Sequence, residues 1–367
     1  MVSEVLAAED AALIRLHAAE SERTGMLAAP VRELIHRRGW LRMFVPEAVG
    51  GGELPLPQGV RLEEALSAAD GSTGWTVTLC AGAGWFAGFL APALARDIVG
   101  TPRVCLGGSG APTGYADIDG DGYRLSGRWN FATGAPMTTH FTMNAVLREH
   151  GEALLDAAGA PRMRAFVVPA AHVTVEENWH AIGLVATASH TFSLHEVRAD
   201  ASQAFDLVPE AATAPGPLYH FPFMSLAFVT LAANIAGMAR NFIGQARELI
   251  GRRRHHITHQ PLTELPQVRQ ALAQGPSELD AARERFYRLL DAAWARSSRG
   301  AHPGQAADHE LQRASLDMVH AARRAVDELY PLCGLAASDR RCDSDIGRAW
   351  RDLHTATQHA LMLPFSA

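Results

Sequence analysis

The sequence has little of what marks metal-binding, disulfide-bonded, nucleic-acid-binding or membrane-spanning chains. Its 367 residues include four cysteines, and Cys80, Cys105, Cys333 and Cys342 lack the paired spacing of a zinc site or a short disulfide framework. The formal net charge is −6, so no basic excess indicates a nucleic-acid partner. No apolar run approaches the length that spans a bilayer, and no charged leader with a cleavage site opens the chain. These absences predict a cytoplasmic protein with no metal site and with neither nucleic acid nor membrane as a partner.

The glycine pattern of dinucleotide-binding proteins is also missing. No Gly-x-Gly-x-x-Gly follows a strand and opens a helix, so a nicotinamide site of the Rossmann type is not predicted. With 48% hydrophobic and 20% charged residues, the composition is typical of a globular protein, and the length predicts two or three packed units.

The hydrophobic period changes twice along the chain. Through the first hundred residues apolar side chains recur at three- and four-residue steps, which predicts helices. Past Pro102, short stretches separated by Gly, Pro and Asp predict a compact β unit. Beyond Pro217 the helical period returns, with long segments near 222–256, 265–299, 305–332 and 343–363. The predicted fold class is α+β: an N-terminal helical domain (1–102), a central β-barrel or sandwich (103–205) and a C-terminal four-helix bundle (206–367).

Three local features refine these elements. Ser72-Thr73 can cap a helix that begins near Trp75, and Asp121-Gly122 can supply the positive-φ positions of a tight hairpin. Gly275-Pro276 should kink or interrupt the second bundle helix.

The stretch from Gly120 to Gly134 carries the strongest chemical signal. It predicts a hairpin strand that runs into a polar loop, with Trp129 and Phe131 at apolar positions and Thr133 directly after them. Broad aromatics beside a hydroxyl suit a flat bound ring. The alternative interpretation is an ordinary hairpin with Trp129 in the core.

Six motifs, in order, resemble the acyl-CoA dehydrogenase superfamily, and together they cover nearly the whole chain. They are Gly39-Trp40 with Val45-Pro46-Glu47 and Gly50-Gly51, Asp70 to Trp75, Gly120 to Gly134, Trp179 to Gly183, Thr187-Ala-Ser189, and Arg351-Asp352 with His359. Within that superfamily, Ser126 to Gly134 and Arg351 to His359 are most similar to the oxygenase components of two-component flavin-dependent monooxygenases, the group that includes 4-hydroxyphenylacetate hydroxylase. The resemblance implies an acyl-CoA dehydrogenase-like fold.

It also implies an activity. Reduced FAD or FMN would arrive by diffusion from a separate flavin reductase, and O2 would oxidise a small substrate through a C4a-hydroperoxyflavin, in a site that excludes water and supplies hydrogen bonds. The substrate would be aromatic or polycyclic and belong to specialised metabolism such as natural-product biosynthesis. Two alternatives stay open: an acyl-thioester oxidoreductase and a non-catalytic member of the fold. In acyl-CoA dehydrogenases the base is a glutamate eight residues beyond the aspartate of the Arg-Asp pair, and here that place holds Ala360, which cannot remove a proton.

The resemblance implies His359 as the catalytic residue, beside the flavin ring; the alternative is a histidine of the bundle core or of a subunit contact. The expected flavin contacts are Leu106, Gly107, Ser109, Trp129, Phe131, Thr133, Thr187, Ser189, Arg254 and Arg269. Arg254 is one of three arginines in Arg252–His256, and an exposed basic helix end is the alternative interpretation of that cluster.

Two departures from the family limit the substrate. Ala83 stands where phenol hydroxylases of the group carry a histidine, and the chain stops at Ala367, where relatives usually continue with a segment that helps close the site. Finally, small residues in the first bundle helix, from Ala232 to Ala239, predict a close helix contact in a homotetramer or homodimer.

Overall fold

The computed structural model describes residues 5–301, 304–339 and 345–363. The first hundred residues are helical, as predicted: α1 (Ala8–Thr24), α2 (Ala29–Arg38), α3 (Leu56–Ala69), α4 (Gly71–Trp85) and α5 (Pro92–Val99). The predicted cap at Ser72-Thr73 is wrong. Helix α4 begins at Gly71, and its N-cap is Asp70, whose carboxylate accepts the Thr73 N–H at 2.8 Å.

Eight strands form one sheet between the two helical parts. They are β1 (Leu106–Asp119), β2 (Gly122–Ala132), β3 (His140–Glu149), β4 (Glu152–Ala153), β5 (Met163–Pro169), β6 (Thr174–Glu176), β7 (His190–Asp200) and β8 (Ala204–Phe205). The order is β6-β7-β2-β1-β3-β5-β8, with β4 paired to β3. The pairing of β1 with β3 is parallel, whereas β1 with β2 is an antiparallel hairpin.

The tight turn of that hairpin corrects a detail of the sequence prediction. Asp119 pairs with Gly122, so the loop consists of Gly120 and Asp121. The positive φ belongs to Gly120, at 64°, and not to Asp121-Gly122. A glycine at the first loop position is what a type II′ hairpin requires.

The sheet has a hydrophobic core of its own, separate from the helical core. Trp129, Phe141, Phe166 and Phe192 are its largest members. Because these side chains come from four different strands of one sheet, the sheet has to curl around them, which agrees with the predicted barrel-like unit.

The C-terminal part contains α6 (Phe223–Gly251), α7 (Pro266–Ser297), α8 (Gln305–Cys333) and α9 (Ile346–Ala356). Of the predicted kink or interruption at Gly275-Pro276, the interruption is wrong, since α7 continues through both residues. The kink stays a prediction. The predicted last helix is also too long at its end: α9 ends at Ala356, and His359 precedes a separate 3₁₀ turn. The start of that predicted segment, with Cys342, lies outside the described residues.

Helix α6 is the central helix of the bundle. By length and composition it could cross a membrane, yet 78% of its most apolar 18-residue window is buried inside the protein. Its small residues are buried within the chain as well: a side chain at Gly237 would meet the backbone oxygen of Glu64 at 2.2 Å. This face packs against α3, so it gives no support to an oligomer contact.

Two adjacent acids on α3 have opposite surroundings. Glu64 is buried and accepts from Arg240 at 2.9 Å, Arg283 at 2.7 Å and the hydroxyl of Tyr287. Both oxygens of Glu63 are buried without a hydrogen-bond partner among the described residues. Burial alone raises the pKa of Glu63 well above its ordinary value.

Candidate active site

Helix α4 is contacted by candidate site residues from two parts of the chain. On one side the backbone oxygen of Thr133 accepts the Cys80 thiol at 3.6 Å. At its first turn, Trp75 meets the His359 ring edge-on, with centroids 6.0 Å apart. A loop of the β unit and the segment after α9 therefore meet on one helix.

Three hydroxyl groups from two loops of the β unit, one after β2 and one before β7, form a continuous chain of hydrogen bonds. The oxygens of Thr133 and Ser189 are 2.9 Å apart, those of Ser189 and Thr187 are 2.7 Å apart, and Thr187 donates to the Leu184 carbonyl at 2.8 Å. All three side chains are buried. The structure thus brings Thr133 to two predicted site residues, Thr187 and Ser189, that lie more than fifty positions further along the chain.

The direction of this hydroxyl chain follows from counting hydrogens. Each hydroxyl carries one hydrogen and two acceptor lone pairs. Because the hydrogen of Thr187 goes to the Leu184 carbonyl, Ser189 must donate to Thr187, and Thr133 must donate to Ser189. The chain therefore has lone pairs to offer a ligand and no spare hydrogen.

This set of hydrogen-bond acceptors fits a reduced flavin. A reduced isoalloxazine ring carries an N–H at N5, where the oxidised ring has only an acceptor, so lone pairs match the reduced form. Phe131 supplies an aromatic surface nearby in sequence: it is 70% exposed and meets Trp179 edge-on at 6.1 Å. The residues present thus suit the cofactor that the sequence resemblance implied.

Trp129 is placed differently from Phe131. It is fully buried, stacks on Phe192 at 5.2 Å and donates its indole N–H to the Asn144 carbonyl at 2.9 Å. Such a side chain has no exposed face for a bound ring in this structure. The alternative interpretation of the hairpin, with Trp129 in the core, matches this placement.

The predicted glycine-rich contact lies at the start of β1. Leu106 and Gly107 are buried and Ser109 is half-buried. A side chain at Gly107 would meet the Thr138 hydroxyl oxygen at 2.7 Å and the Thr133 carbonyl at 3.2 Å. Gly107 therefore abuts the loop that carries the first hydroxyl of the chain.

His359 lies in a mostly apolar environment. Its Nδ1 accepts the backbone N–H of Leu361 at 3.3 Å, so the neutral ring carries its hydrogen on Nε2. Burial lowers the pKa of His359 below 6.5. Around neutral pH this residue is an uncharged donor, with a pKa below the ordinary histidine value that its sequence alone predicts.

One face of α4 is apolar and partly open. Trp75, Leu79 and Gly82 follow at helical spacing, and Phe86 continues the spacing directly after the helix ends. Leu79 and Gly82 are half-buried in a helix that is otherwise buried, and Phe86 is half-buried as well. A Cβ at Gly82 would meet no described heavy atom within 4 Å. Phe86 in turn contacts Phe205 and Phe223, with centroids 5.7 and 5.9 Å away. This surface, the α4 face, has room for an apolar ligand.

The two predicted phosphate-binding arginines stand apart from these groups. Arg254 is exposed in the loop after α6 and donates to the His259 carbonyl at 2.9 Å. Arg269 is exposed in the first turn of α7. Their predicted contact with flavin phosphates, in a neighbouring subunit, stays a prediction.

Sequence reasoning missed the part played by Asp352. It was noted as part of the Arg-Asp motif, but its carboxylate is buried and accepts the Leu184 N–H at 2.6 Å. Leu184 also supplies the carbonyl oxygen that accepts the last hydrogen of the hydroxyl chain. The motif itself was the available signal, because a carboxylate that becomes buried needs a hydrogen-bond or charge partner.

Comparisons with known proteins agree with this architecture. Residues 229–364 match the family described as acyl-CoA dehydrogenase, C-terminal domain. An indole-3-acetate monooxygenase of Acinetobacter baumannii is 26% identical, covering 95% of this chain and 87% of its own length. The oxygenase component of an FADH2-dependent resorcinol hydroxylase of Rhizobium sp. is 27% identical, covering 95% and 88%.

A solved structure extends the likeness to the whole fold. XiaF from Streptomyces sp., in complex with FADH2 and glycerol, superposes with a TM-score of 0.87 at 23% identity, covering 96% of this chain and 89% of its own. The chain has an acyl-CoA dehydrogenase-like fold, and the relatives that it is similar to are named as flavin-dependent monooxygenases or as their oxygenase components.

Proposed function

We propose that this chain is the oxygenase component of a two-component monooxygenase, a cytoplasmic enzyme that takes reduced FAD or FMN from a separate reductase. Two electrons from the flavin and one O2 convert a substrate C–H into C–OH, and the second oxygen atom leaves as water. The observation that carries the proposal is the directed hydroxyl chain of Thr133, Ser189 and Thr187, whose free lone pairs match a reduced flavin. The relatives' names support it.

The flavin, when bound, supplies the two electrons and activates O2. With flavin bound, the hydroxyl chain would accept its N–H groups, and Phe131 would cover part of its surface. His359 would donate its Nε2 hydrogen to an oxygen atom of a ligand held near Trp75. Because that imidazole is neutral, it can donate without placing a charge in the pocket.

The α4 face binds the substrate. Its lining is apolar, with open space at Gly82 and aromatic edges from Phe86 and Phe223. Such a surface favours an uncharged, flat aromatic or heteroaromatic molecule over an anion. Ala83 is also apolar and buried, so a phenol would find no base at that position.

Assembly into a homotetramer or homodimer is part of the proposal, together with one of the arginines Arg254 and Arg269 on the flavin phosphates of the neighbouring subunit. A guanidinium can bind phosphate oxygens in bidentate fashion, and both side chains are exposed and available for that contact.

The test is an anaerobic titration with reduced FAD and FMN, followed by mixing with ¹⁸O2 in the presence of resorcinol, indole and indole-3-acetate. We expect tighter binding of reduced than of oxidised flavin, and one ¹⁸O atom in a hydroxylated product. Absence of binding to either reduced flavin would refute the proposal.

A further inference from the structure

We propose that Asp352 is the positioning residue of the flavin-binding hydroxyl chain, acting through the peptide groups of Leu184. This inference rests on the proposed function for the ligand, but the contacts that carry it lie within the protein. Asp352 is on α9, 168 positions away from Leu184, so it links the end of the bundle to a loop of the β unit.

Leu184 is held from both of its peptide sides. Its N–H donates to Asp352 Oδ1 at 2.6 Å. Its carbonyl accepts the Trp179 indole N–H at 2.9 Å, the Thr187 hydroxyl at 2.8 Å and the Thr187 backbone N–H at 3.1 Å. The hydroxyl chain therefore ends on a carbonyl that one buried carboxylate holds in place.

The loop needs such an anchor because its backbone is strained. Leu184 has a φ of 52° and Ala188 a φ of 45°, both in the left-handed region that residues with a side chain rarely adopt. Conformations of this kind persist only where surrounding contacts enforce them. The bond from Asp352 is such a contact, placed at the first of the two strained residues.

The packing around the carboxylate leaves little freedom. A side chain at Gly71 would come within 2.8 Å of Asp352 Oδ2, and one at Gly183 within 2.1 Å of the Arg351 carbonyl. The first residue of α4 and the residue before Leu184 thus approach α9 closely from two sides. Two glycines permit an approach that any other residue would prevent.

Several charged groups face this carboxylate. They are Asp70 at the cap of α4, Arg348 on α9 and Glu22 on α1. The Nε of Arg348 lies 3.7 Å from Asp70, and Arg348 also pairs with Asp345. Glu22 pairs with Arg351. Burial, then the charge of Asp70, raises the pKa of Asp352 to about 7, against the opposing effects of the Leu184 N–H and Arg348. The carboxylate is the stronger acceptor, so its protonation below neutral pH weakens the hold on Leu184.

The experiment compares Asp352→Asn with Asp352→Leu. Asparagine keeps an oxygen that can accept the Leu184 N–H, whereas leucine keeps the volume and removes the acceptor. Asp291→Leu, which removes an exposed partner of Arg61, is the matched control. Hydrogen exchange of amides 183–190 is measured in the flavin-free proteins, and affinity for reduced FAD in an anaerobic titration.

We expect at least about tenfold faster exchange and tenfold weaker binding of reduced FAD in Asp352→Leu. In Asp352→Asn, both the exchange rate and the affinity should stay within about threefold of the wild type. The wild type should lose affinity for reduced FAD between pH 8 and pH 6, as Asp352 takes up a proton, and Asp352→Asn should not. Unchanged exchange in Asp352→Leu overturns the inference, as does an Asp352→Asn protein that is as impaired as the leucine variant. If Asp352→Leu does not fold, the pH dependence of wild type against Asp352→Asn decides.

The outcome also separates this inference from the proposed function. If the wild type binds no reduced flavin, the function fails, and exchange in the flavin-free proteins still decides whether Asp352 holds the loop. If the wild type binds reduced flavin and Asp352→Leu binds it equally well, the function stands and the positioning role is wrong.

Discussion

The two sides of the candidate site are built on opposite principles. On the β-loop side, Thr133, Ser189 and Thr187 use every hydroxyl hydrogen internally and have fixed directions. On the helical side, the α4 face has apolar side chains and open space at Gly82. One side thus specifies a ligand by the geometry of hydrogen bonds, and the other admits any apolar shape that fits. A fixed cofactor and a variable substrate need this difference.

The strongest test of the comparison fills the open side. Gly82→Leu should lower kcat/KM for a bicyclic aromatic substrate by about a hundredfold or more, because even one methylene in a pocket changes discrimination by about 10- to 200-fold. Affinity for reduced flavin should stay unchanged. Steady-state kinetics with indole and a flavin titration measure the two quantities.

Gly244→Leu is the matched control for this change, since Gly244 is an exposed helical glycine on α6 with open space around it. If both variants lose activity equally, Gly82 does not border the substrate. If Gly82→Leu weakens flavin binding instead, the two sides of the site are not separate.

His359 packs against Trp75 of the α4 face, and its removal should affect coupling. His359→Ala should bind reduced flavin nearly normally and form about tenfold more hydrogen peroxide per product, because one lost hydrogen bond to a polar group costs about 1–3 kcal/mol. His359→Gln, which restores an N–H donor, should recover part of the coupling. Peroxide and product assays on the same samples measure it.

The pH dependence of coupling is a second readout of His359. Because burial lowers the pKa of His359 below its ordinary value, the change in wild-type coupling as the imidazole takes up a proton should have its midpoint on the acid side of that ordinary value. A transition above pH 6.5, or one that persists in His359→Ala, would contradict this role.

The aromatic residues Phe131 and Trp129 test which ring lies against the flavin. Phe131→Ala should weaken reduced-flavin binding about tenfold, since an aromatic side chain covered by a ligand contributes about 1.5–3 kcal/mol. Trp129→Phe should leave affinity unchanged and lower stability by about 2 kcal/mol, through lost packing and one lost hydrogen bond. Flavin titration and urea unfolding distinguish them; the opposite pattern would place Trp129 on the ring.

The smallest expected effect interrupts the hydroxyl chain. Ser189→Ala should reduce affinity for reduced flavin about fivefold, the value of about 1 kcal/mol for one hydrogen bond. Affinity for oxidised flavin should change less. Ser193→Ala, four positions further on in β7 and half-buried, is the control, and equal effects of the two changes would show that the chain direction is irrelevant.

Hydrophobic periodicity was sufficient to predict the order of helices, sheet and bundle, because each period reflects which face of an element is buried. The domain boundaries at 102 and 205 stay a prediction. The hydroxyl residues were chosen from their motifs, and the structure brings three of them into one chain.

Local irregularity explains what the sequence could not predict. In a regular strand Trp129 and Phe131 point to the same side. Here the ladder between β2 and β7 shifts between Trp129 and Ala132, and Phe131 has a φ of 66°. This bulge turns Phe131 outward while Trp129 stays in the core, and no composition signal marks it.

The bond between Asp352 and Leu184 was unpredictable for a different reason. It joins two segments that only the complete fold brings together. The motif that contains Asp352 does not indicate which backbone group its carboxylate will bind. The left-handed backbone of Leu184 carries no sequence signal either, since leucine does not favour it.

Glu63, the buried acid on α3 whose oxygens have no hydrogen-bond partner among the described residues, affects how the protein exchanges protons with the solvent. Burial raises the pKa of Glu63 well above its ordinary value, so between the unfolded and the folded pKa the native side chain holds a proton that the unfolded chain does not. Unfolding returns this side chain to water, where it ionises and releases the proton. Stability contributed by this group is therefore fully present below its unfolded pKa and is lost as the pH rises through the folded value. The heat of unfolding of this protein should accordingly depend on the ionisation enthalpy of the buffer that receives the proton.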